Sequence, residues 1–116
     1  MIKIIPNKKN ISAEIKKCDL RKLTNIELKK IKSSLVKYGM VFFKNQNLSS
    51  KDYITFAKKI GKPAKYPRLK GLNKKYPEIT VVQRKATDKG PSFGEQFHTD
   101  SSYTKKPPRF TMLFSK

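Results

Sequence analysis

One histidine and one aspartate have the spacing of a metal site. His98 is the only histidine of the chain, and Asp100 follows it two positions later. Residues i and i+2 of an extended backbone point to the same face, so the imidazole nitrogen and the carboxylate oxygen can meet at one divalent ion. They would be two ligands of the 2-His-1-carboxylate facial triad, which leaves open positions on iron(II). The competing interpretation is a histidine bonded to a nearby carboxylate.

Two helices are predicted upstream of this pair. Each begins with a capping box, in which a Ser or Thr is followed three residues later by an acidic residue. The pairs are Thr24–Glu27 and Ser49–Asp52. Apolar residues then recur at helical spacing, and a glycine ends each stretch. We therefore predict helices over about 24–38 and 49–60.

Short runs of apolar, β-branched and aromatic residues predict the strands. The runs are 2–5, 13–17, 40–43, 78–83, 97–103 and 110–114. The strand at 40–43 is expected to be buried, and the strand at 97–103 would hold His98 and Asp100 in line. Residues 62–77 contain three prolines and five lysines, which indicates a long surface loop of a kind that is often functional.

The composition limits the class of protein. The chain has 116 residues, enough for one small domain, and no apolar run near the roughly 18 residues of a membrane span. Its single cysteine, Cys18, excludes an internal disulfide framework and a cysteine-based zinc site. We expect a soluble, cytoplasmic protein. Because the last residues stop inside an apolar strand pattern, we also expect a longer polypeptide of which this is a truncated part.

The high positive charge raises the alternative of a small basic nucleic-acid-binding module. Lys and Arg number 28 against 8 Asp and Glu, which gives a net charge of +20. Only four of the basic residues are Arg, the side chain that base-edge and phosphate recognition favours. The lysines are spread along the chain without a block of five or six. We therefore interpret the charge as a solvated surface, with no specific nucleic-acid partner.

The region around His98 resembles a known enzyme family. The stretch GEQFHTDSSY at 94–103, the Pro107–Pro108 pair and the apolar run at 111–114 are closely similar to the taurine dioxygenase family of iron(II)/2-oxoglutarate-dependent oxygenases. Members carry an aromatic residue before His-Thr-Asp or His-Ser-Asp, then a small residue, an aromatic residue, a Pro-Pro pair and an apolar strand.

Upstream segments match the same family in order and spacing. They are GMVFF at 39–43, NQNLS at 45–49 and FAKKIG at 56–61. The resemblance covers about residues 24–116. It implies an α+β chain, with residues 1–116 forming the N-terminal part of a single double-stranded β-helix (jelly-roll) domain with two flanking helices and an incomplete barrel.

The resemblance also implies an activity and its cofactors. His98 and Asp100 would bind Fe(II), 2-oxoglutarate would be the co-substrate, and a small organic substrate of the sulfonate or carboxylate class would be hydroxylated with O2. The family's second histidine and its 2-oxoglutarate-binding arginine would lie beyond Lys116, so Arg109 is not assigned to that role. This chain alone is expected to be inactive.

Substrate recognition in relatives draws on the loop after the second helix. Tyr66 and Arg68 lie in that loop, and an arginine can hold a sulfonate or carboxylate with two hydrogen bonds. The alternative is that both are simply exposed loop residues. Taurine-specific members carry an asparagine at the position of Gly94, which argues against taurine itself. A homo-oligomer and a truncated relative without activity are both left open, and no membrane partner is expected.

Overall fold

A computed structural model describes residues 1–116. All of its helices and strands lie within the first 60 residues. In order they are β1 (Lys3–Pro6), β2 (Ala13–Lys16), α1 (Asn25–Tyr38), β3 (Val41–Phe42) and α2 (Ser50–Ile60). The chain divides into two units, Met1–Lys62 and Pro63–Lys116. Both predicted helices and the first three predicted strands are confirmed. Neither helix has the length and apolar content needed to cross a membrane.

The three strands form one sheet in the order β1-β2-β3. β1 and β2 are antiparallel, with Lys3 opposite Lys16, and β2 and β3 are parallel, with Ala13 opposite Val41. A parallel pair needs a crossover connection, and α1 supplies it. β3 has only two residues, and the Phe42 side chain is 40% exposed, so the expectation of a fully buried strand at 40–43 is wrong.

The helices begin where their capping boxes place them. Thr24 Oγ1 accepts a hydrogen bond from the Glu27 backbone N–H, and Glu27 Oε2 accepts one from the Thr24 N–H. Ser49 and Asp52 repeat this arrangement at α2. These hydrogen bonds lower the pKa of both acidic side chains, through the Thr24 backbone N–H for Glu27 and the Ser49 hydroxyl for Asp52. The carboxylates remain ionised at neutral pH and satisfy backbone groups that have no partner within the helix.

The apolar core belongs to the first unit, in which α1 packs against β2 and β3. Its buried members come from the N-terminus, β2, both helices and the connecting loops: Ile2, Ala13, Ile15, Leu20, Ile31, Leu48 and Phe56. The Phe43 and Phe56 rings meet edge to face, with centroids 6.1 Å apart. This geometry is one that aromatic pairs favour.

Three predicted strands of the second unit are absent. Residues 78–83, 97–103 and 110–114 form no ladder, and the only bridge of this unit pairs Gly71 with Thr80. β propensity reflects how a side chain fits a pleated and partly buried surface, so it has no effect where no neighbouring strand is present. The predicted loop at 62–77 is confirmed, since it contains no helix or strand beyond that bridge.

Candidate metal and substrate site

His98 and Asp100 converge as their spacing predicts, although the strand that was expected to carry them does not form. His98 Nε2 lies 3.2 Å from Asp100 Oδ1. Two neighbouring ligands of an octahedral divalent ion lie roughly 3.0 Å apart when the metal–ligand bonds are near 2.1 Å. The separation of the two donor atoms is therefore one that two ligands of a single metal ion would have.

Each of the two side chains is oriented by a second hydrogen bond. His98 Nδ1 lies 2.6 Å from the carbonyl oxygen of Gln96, and it must donate the proton because a carbonyl oxygen can only accept. The Thr111 hydroxyl donates to Asp100 Oδ2 at 3.0 Å. In the neutral imidazole, Nε2 then carries a lone pair that faces the lone pairs of Oδ1. This arrangement calls for a cation or a proton between the two atoms, and it is the way that proteins orient metal-binding histidines.

The backbone after Asp100 is held in an unusual conformation. Ser101 has a φ of 44° and is buried to 4% exposure. The Thr104 hydroxyl and backbone N–H both donate to the Ser101 carbonyl oxygen, and the Thr99 and Ser102 hydroxyls lie 3.0 Å apart. Residues with a left-handed backbone persist where the surroundings fix them, and they concentrate at functional sites. The turn therefore holds Asp100 in a defined place.

Gly94 lies directly against the His98 ring. Its φ is 71°, and a Cβ atom at this position would stand 3.3 Å from His98 Cε1. Residues 94–98 line a shallow open depression of about 300 Å³. Glycine suits both the left-handed backbone conformation and the closeness of the imidazole, since an added Cβ would strain the first and crowd the second. The fold therefore places a glycine where it gives the histidine room.

His98 and Asp100 together offer two donor atoms, which is fewer than a protein metal site needs. No third His, Cys, Asp or Glu joins His98 and Asp100. A nitrogen and a hard carboxylate oxygen suit iron(II), manganese(II) and similar ions, and the identity of the donors does not choose among them. Both side chains are 53% exposed. The pair therefore fits a divalent ion that takes its remaining ligands from other groups.

The two predicted substrate residues have different surroundings. Tyr66 is half-buried and forms no hydrogen bond to His98 or Asp100. Arg68 is exposed, and its Cζ lies 4.7 Å from the centroid of the Tyr103 ring. The structure thus connects Arg68, and not Tyr66, to the turn that follows the candidate metal ligands.

Sequence reasoning missed two residues of this site. Thr111 was assigned to a strand, and its hydrogen bond to Asp100 spans 11 positions without any local signal. Gly94 was noted only as a position where relatives differ, and its role beside His98 could have been suspected from the glycine four residues before a candidate ligand. Arg109 contacts the ring of the adjacent Phe110, consistent with leaving it out of the site.

Two other features, the Cys18 thiol and a groove in the first unit, do not have the chemistry of a metal site. Burial raises the pKa of the Cys18 thiol to about 11, with further contributions from Glu27 and Asp19, so the thiol stays protonated at neutral pH. A groove of about 450 Å³ between β1 and α1 is lined by apolar, serine, tyrosine and lysine side chains. It contains no carboxylate or imidazole that could bind a metal.

Comparison with known proteins identifies the family. The sequence matches the family described as "Taurine catabolism dioxygenase TauD, TfdA family" over residues 3–116. A structure from Burkholderia xenovorans, described as an alpha-ketoglutarate-dependent taurine dioxygenase, is similar with 27% identity and a TM-score of 0.62. The match covers 72% of this chain and 32% of that one.

Two further structures are similar over a shorter part. A taurine dioxygenase from Burkholderia xenovorans has 31% identity and a TM-score of 0.52, covering 54% of this chain and 24% of that one. AAD-2 in complex with Mn(II) and N-oxalylglycine has 26% identity and a TM-score of 0.51, covering 54% and 25%. The chain thus spans between a quarter and a third of the length of these structures. With the family match extending from residue 3 to residue 116, this chain belongs to the TauD/TfdA dioxygenase family.

Proposed function

We propose that the protein is an Fe(II)- and 2-oxoglutarate-dependent dioxygenase in which His98 and Asp100 supply half of the iron site. The observation that carries this proposal is the convergence of His98 Nε2 and Asp100 Oδ1 to 3.2 Å. Each side chain is turned toward the other by a separate hydrogen bond, from His98 to Gln96 and from Thr111 to Asp100. Membership of the family supports the assignment of the reaction.

In this mechanism His98 and Asp100 would bind the metal ion, and Gln96 and Thr111 orient the two side chains. His98 presents Nε2 because Nδ1 is engaged with the Gln96 carbonyl, and Asp100 presents Oδ1 because Oδ2 accepts from Thr111. Iron(II) and 2-oxoglutarate, when bound, would supply the O2-dependent oxidation of a C–H bond of the substrate. The Asp100 carboxylate would contribute negative charge to the site, and the His98 imidazole, oriented by its hydrogen bond to Gln96, would offer its Nε2 lone pair to the metal ion.

The remaining parts of the proposal concern the whole protein. Residues 1–116 would be the N-terminal part of one jelly-roll domain, and their match covers 32% of the first similar structure. His98 is the only histidine here, so the second histidine ligand must come from outside these residues. The substrate would be a small organic sulfonate or carboxylate, with Tyr66 and Arg68 facing it, and the protein would act in the cytoplasm.

The metal assignment is tested by substituting the ligands in the full-length protein. We expect His98→Ala and Asp100→Ala each to weaken Fe(II) binding at least 100-fold in anaerobic titrations and to abolish the conversion of 2-oxoglutarate to succinate. We expect Thr111→Val to weaken Fe(II) binding about 10-fold, since partners that orient a ligand commonly contribute 10- to 100-fold.

The matched control is Asp88→Asn, which removes a carboxylate from the same unit. Asp88 Oδ2 accepts from the Lys85 N–H, and an asparagine can keep that bond. Circular dichroism should show that all four variants keep the wild-type fold. Undiminished Fe(II) affinity in Asp100→Ala would refute the site.

A further inference from the structure

Strand β1 has one side without a neighbouring strand in residues 1–116, because the sheet order is β1-β2-β3. Two backbone hydrogen bonds show which of its groups face that side. The Asn7 N–H donates to the Ser12 carbonyl oxygen at 2.8 Å, so this pair is bonded across the hairpin. The Ala13 N–H instead donates to the Met40 carbonyl oxygen at 3.1 Å, on the side of β2 away from β1.

Ile4 and Pro6 therefore present backbone groups to the free side of β1. Pro6 is opposite Ala13, and Ile4 is opposite Ile15. Bonded and non-bonded pairs alternate along an antiparallel ladder, so both of these pairs are of the non-bonded kind. The N–H and C=O of Ile4 and the C=O of Pro6 point away from β2. Unpaired groups of this kind are a template for another strand.

An apolar groove lies beside this free edge. Ile4 and Pro6 line it from β1, and its volume is about 450 Å³. Ile26 lines it from α1 and is 69% exposed. The hydroxyls of Ser33 and Ser34 donate to carbonyl oxygens one turn earlier in α1, so they need no partner from a ligand. The groove thus offers apolar surface next to an unpaired strand edge.

The charge around the groove is positive and unbalanced. Lys29, Lys30 and Lys37 line it, and none of them forms an ion pair. The four acidic side chains of the first unit are engaged elsewhere, two in ion pairs and two in the capping boxes. A second copy of this chain would bring the same positive excess, with a net charge of +20. Charge complementarity therefore favours an anionic occupant.

We propose that this groove binds an extended acidic segment of a partner protein, which adds to β1 as a fourth strand. Backbone hydrogen bonds to Ile4 hold the segment, and every second side chain faces the groove. An apolar side chain opposite Ile4 contacts Ile26, and acidic side chains two positions before and after it meet Lys30 and Lys37. A nucleic acid would satisfy the lysines but has no amide N–H and C=O to pair with Ile4. The proposal uses no residue of the metal site and does not depend on the dioxygenase function.

The spacing of the lysines supports this arrangement. Lys30 and Lys37 are seven residues apart in α1, which is about 10.5 Å along a helix axis. Two strand residues four positions apart are separated by about 13 Å. Both acidic side chains are therefore within reach of flexible lysine side chains.

The test observes the strand edge directly in the full-length protein labelled with ¹⁵N-isoleucine. The Ile4 amide signal is the one that Ile4→Val removes. The probe is the peptide acetyl-Ser-Glu-Thr-Val-Thr-Glu-Ser-amide. We expect the Ile4 amide hydrogen to shift downfield and to exchange more slowly with solvent, because it gains a hydrogen bond. The Ile5 N–H faces β2, so its signal should move less.

Modified peptides separate strand addition from general charge. Methylation of the valine nitrogen removes the N–H that meets the Ile4 carbonyl oxygen and should weaken binding about 5-fold or more. Methylation of the preceding threonine nitrogen, whose N–H faces away from β1, is the matched control and should weaken binding less. Glutamine in place of both glutamates should weaken binding about 4-fold or more, as the loss of two exposed ion pairs predicts.

Protein variants locate the charge. We expect Lys30→Gln and Lys37→Gln each to weaken peptide binding about 2- to 5-fold, the range of exposed ion pairs. Lys32→Gln removes the same charge from an exposed position of α1 outside the groove, and it should leave binding near the wild-type value.

Several results would overturn the proposal. They are an Ile4 signal that the peptide does not move, undiminished binding of the peptide methylated at valine, and equal weakening by Lys32→Gln and Lys37→Gln. Slow exchange of the Ile4 N–H before peptide is added would show that another segment of the full-length protein or a second copy already covers the edge. An equal Ile4 shift with single-stranded DNA would assign the groove to nucleic acid.

Discussion

Each of the two candidate ligands, His98 and Asp100, is oriented by a hydrogen bond at one of its two polar side-chain atoms. His98 and Asp100 each have two heteroatoms, and one of each pair is engaged by the Gln96 carbonyl or the Thr111 hydroxyl. This leaves one free nitrogen and one free oxygen, and these are the two atoms that lie 3.2 Å apart. The geometry of the pair is therefore determined by its neighbours and not by the His-x-Asp spacing alone.

Gly94 provides a prediction at this scale. In Gly94→Ala the new Cβ would stand 3.3 Å from His98 Cε1, so the imidazole must shift and Fe(II) affinity should fall about 10-fold. Gly90→Ala is the control, since Gly90 has a φ of 90° and an added Cβ would meet nothing within 4 Å. Both substitutions strain a backbone with positive φ, but only the Cβ of Gly94→Ala contacts the His98 side chain. Anaerobic Fe(II) titration of both full-length variants measures the difference, and equal losses would contradict the assigned role of Gly94.

The elements differ in how far sequence determines them. Both helices begin at the predicted residues because a capping box is a contact between residues three positions apart, which sequence displays directly. The failed strand at 110–114 has the composition of a strand, but a ladder needs a partner that composition does not identify. For the same reason His98 and Asp100 were found from spacing, while Thr111 was not.

Gln46 connects two loops of the first unit and carries a prediction. Its side-chain amide donates to the Cys18 carbonyl oxygen at 2.8 Å, and its oxygen accepts from the Leu20 N–H at 3.2 Å. Gln46→Ala should lower the free energy of unfolding by about 1 kcal/mol, the typical net contribution of such hydrogen bonds. Gln46→Glu should cost more, because a carboxylate cannot donate to Cys18. Urea unfolding midpoints measure this, with the exposed neighbour Asn47→Ala as the control that should stay near wild type.

Acid should weaken the starts of both helices. The pKa values of Glu27 and Asp52 are lowered in the folded chain by hydrogen bonds to Thr24 and Ser49. The unfolded chain therefore binds more protons in this range, and the stabilisation is present above the unfolded pKa values. It is lost as the pH falls below about 4 and through the folded values.

Circular dichroism at 222 nm between pH 7 and pH 2 measures this loss. The double variant Glu27→Gln, Asp52→Asn should have a flatter acid transition, although part of the loss remains. The remaining part comes from Asp19, whose pKa is lowered to about 2 by its hydrogen bonds to Arg21. If the double variant had the same acid transition as the wild type, the two capping boxes would not be a source of the acid sensitivity.

The molecule as a whole is uneven in its packing. The buried apolar residues all lie in the first unit, while the second unit exposes large apolar side chains: Val81, Val82, Phe93, Phe97, Phe110 and Leu113. The chain length predicts one small domain, but neither length nor composition shows in which part of the chain the buried apolar residues lie. The predicted strands of the second unit contribute most of these exposed residues, and these segments form no β-ladder.

The net charge of +20 is a feature of the whole molecule, and by itself it does not distinguish the proposed dioxygenase from the nucleic-acid-binding alternative. Contacts with DNA phosphates release counterions, and log K falls by about 0.9 per neutralised phosphate for each unit of log salt. So basic a protein should bind duplex DNA at low salt, whatever its function. Discrimination between sequences is therefore the informative quantity.

We expect less than 10-fold preference for any DNA sequence at about 150 mM salt, whereas a specific binder prefers its site by roughly 10³-fold or more. Two of the four arginines are engaged within the chain, Arg21 with Asp19 and Arg84 with backbone carbonyls, which removes them from base recognition. Competition between random and selected oligonucleotides for the full-length protein measures the preference. A strong preference that survives His98→Ala would favour the nucleic-acid-binding module, because that variant removes the proposed iron ligand and leaves all 28 Lys and Arg residues in place.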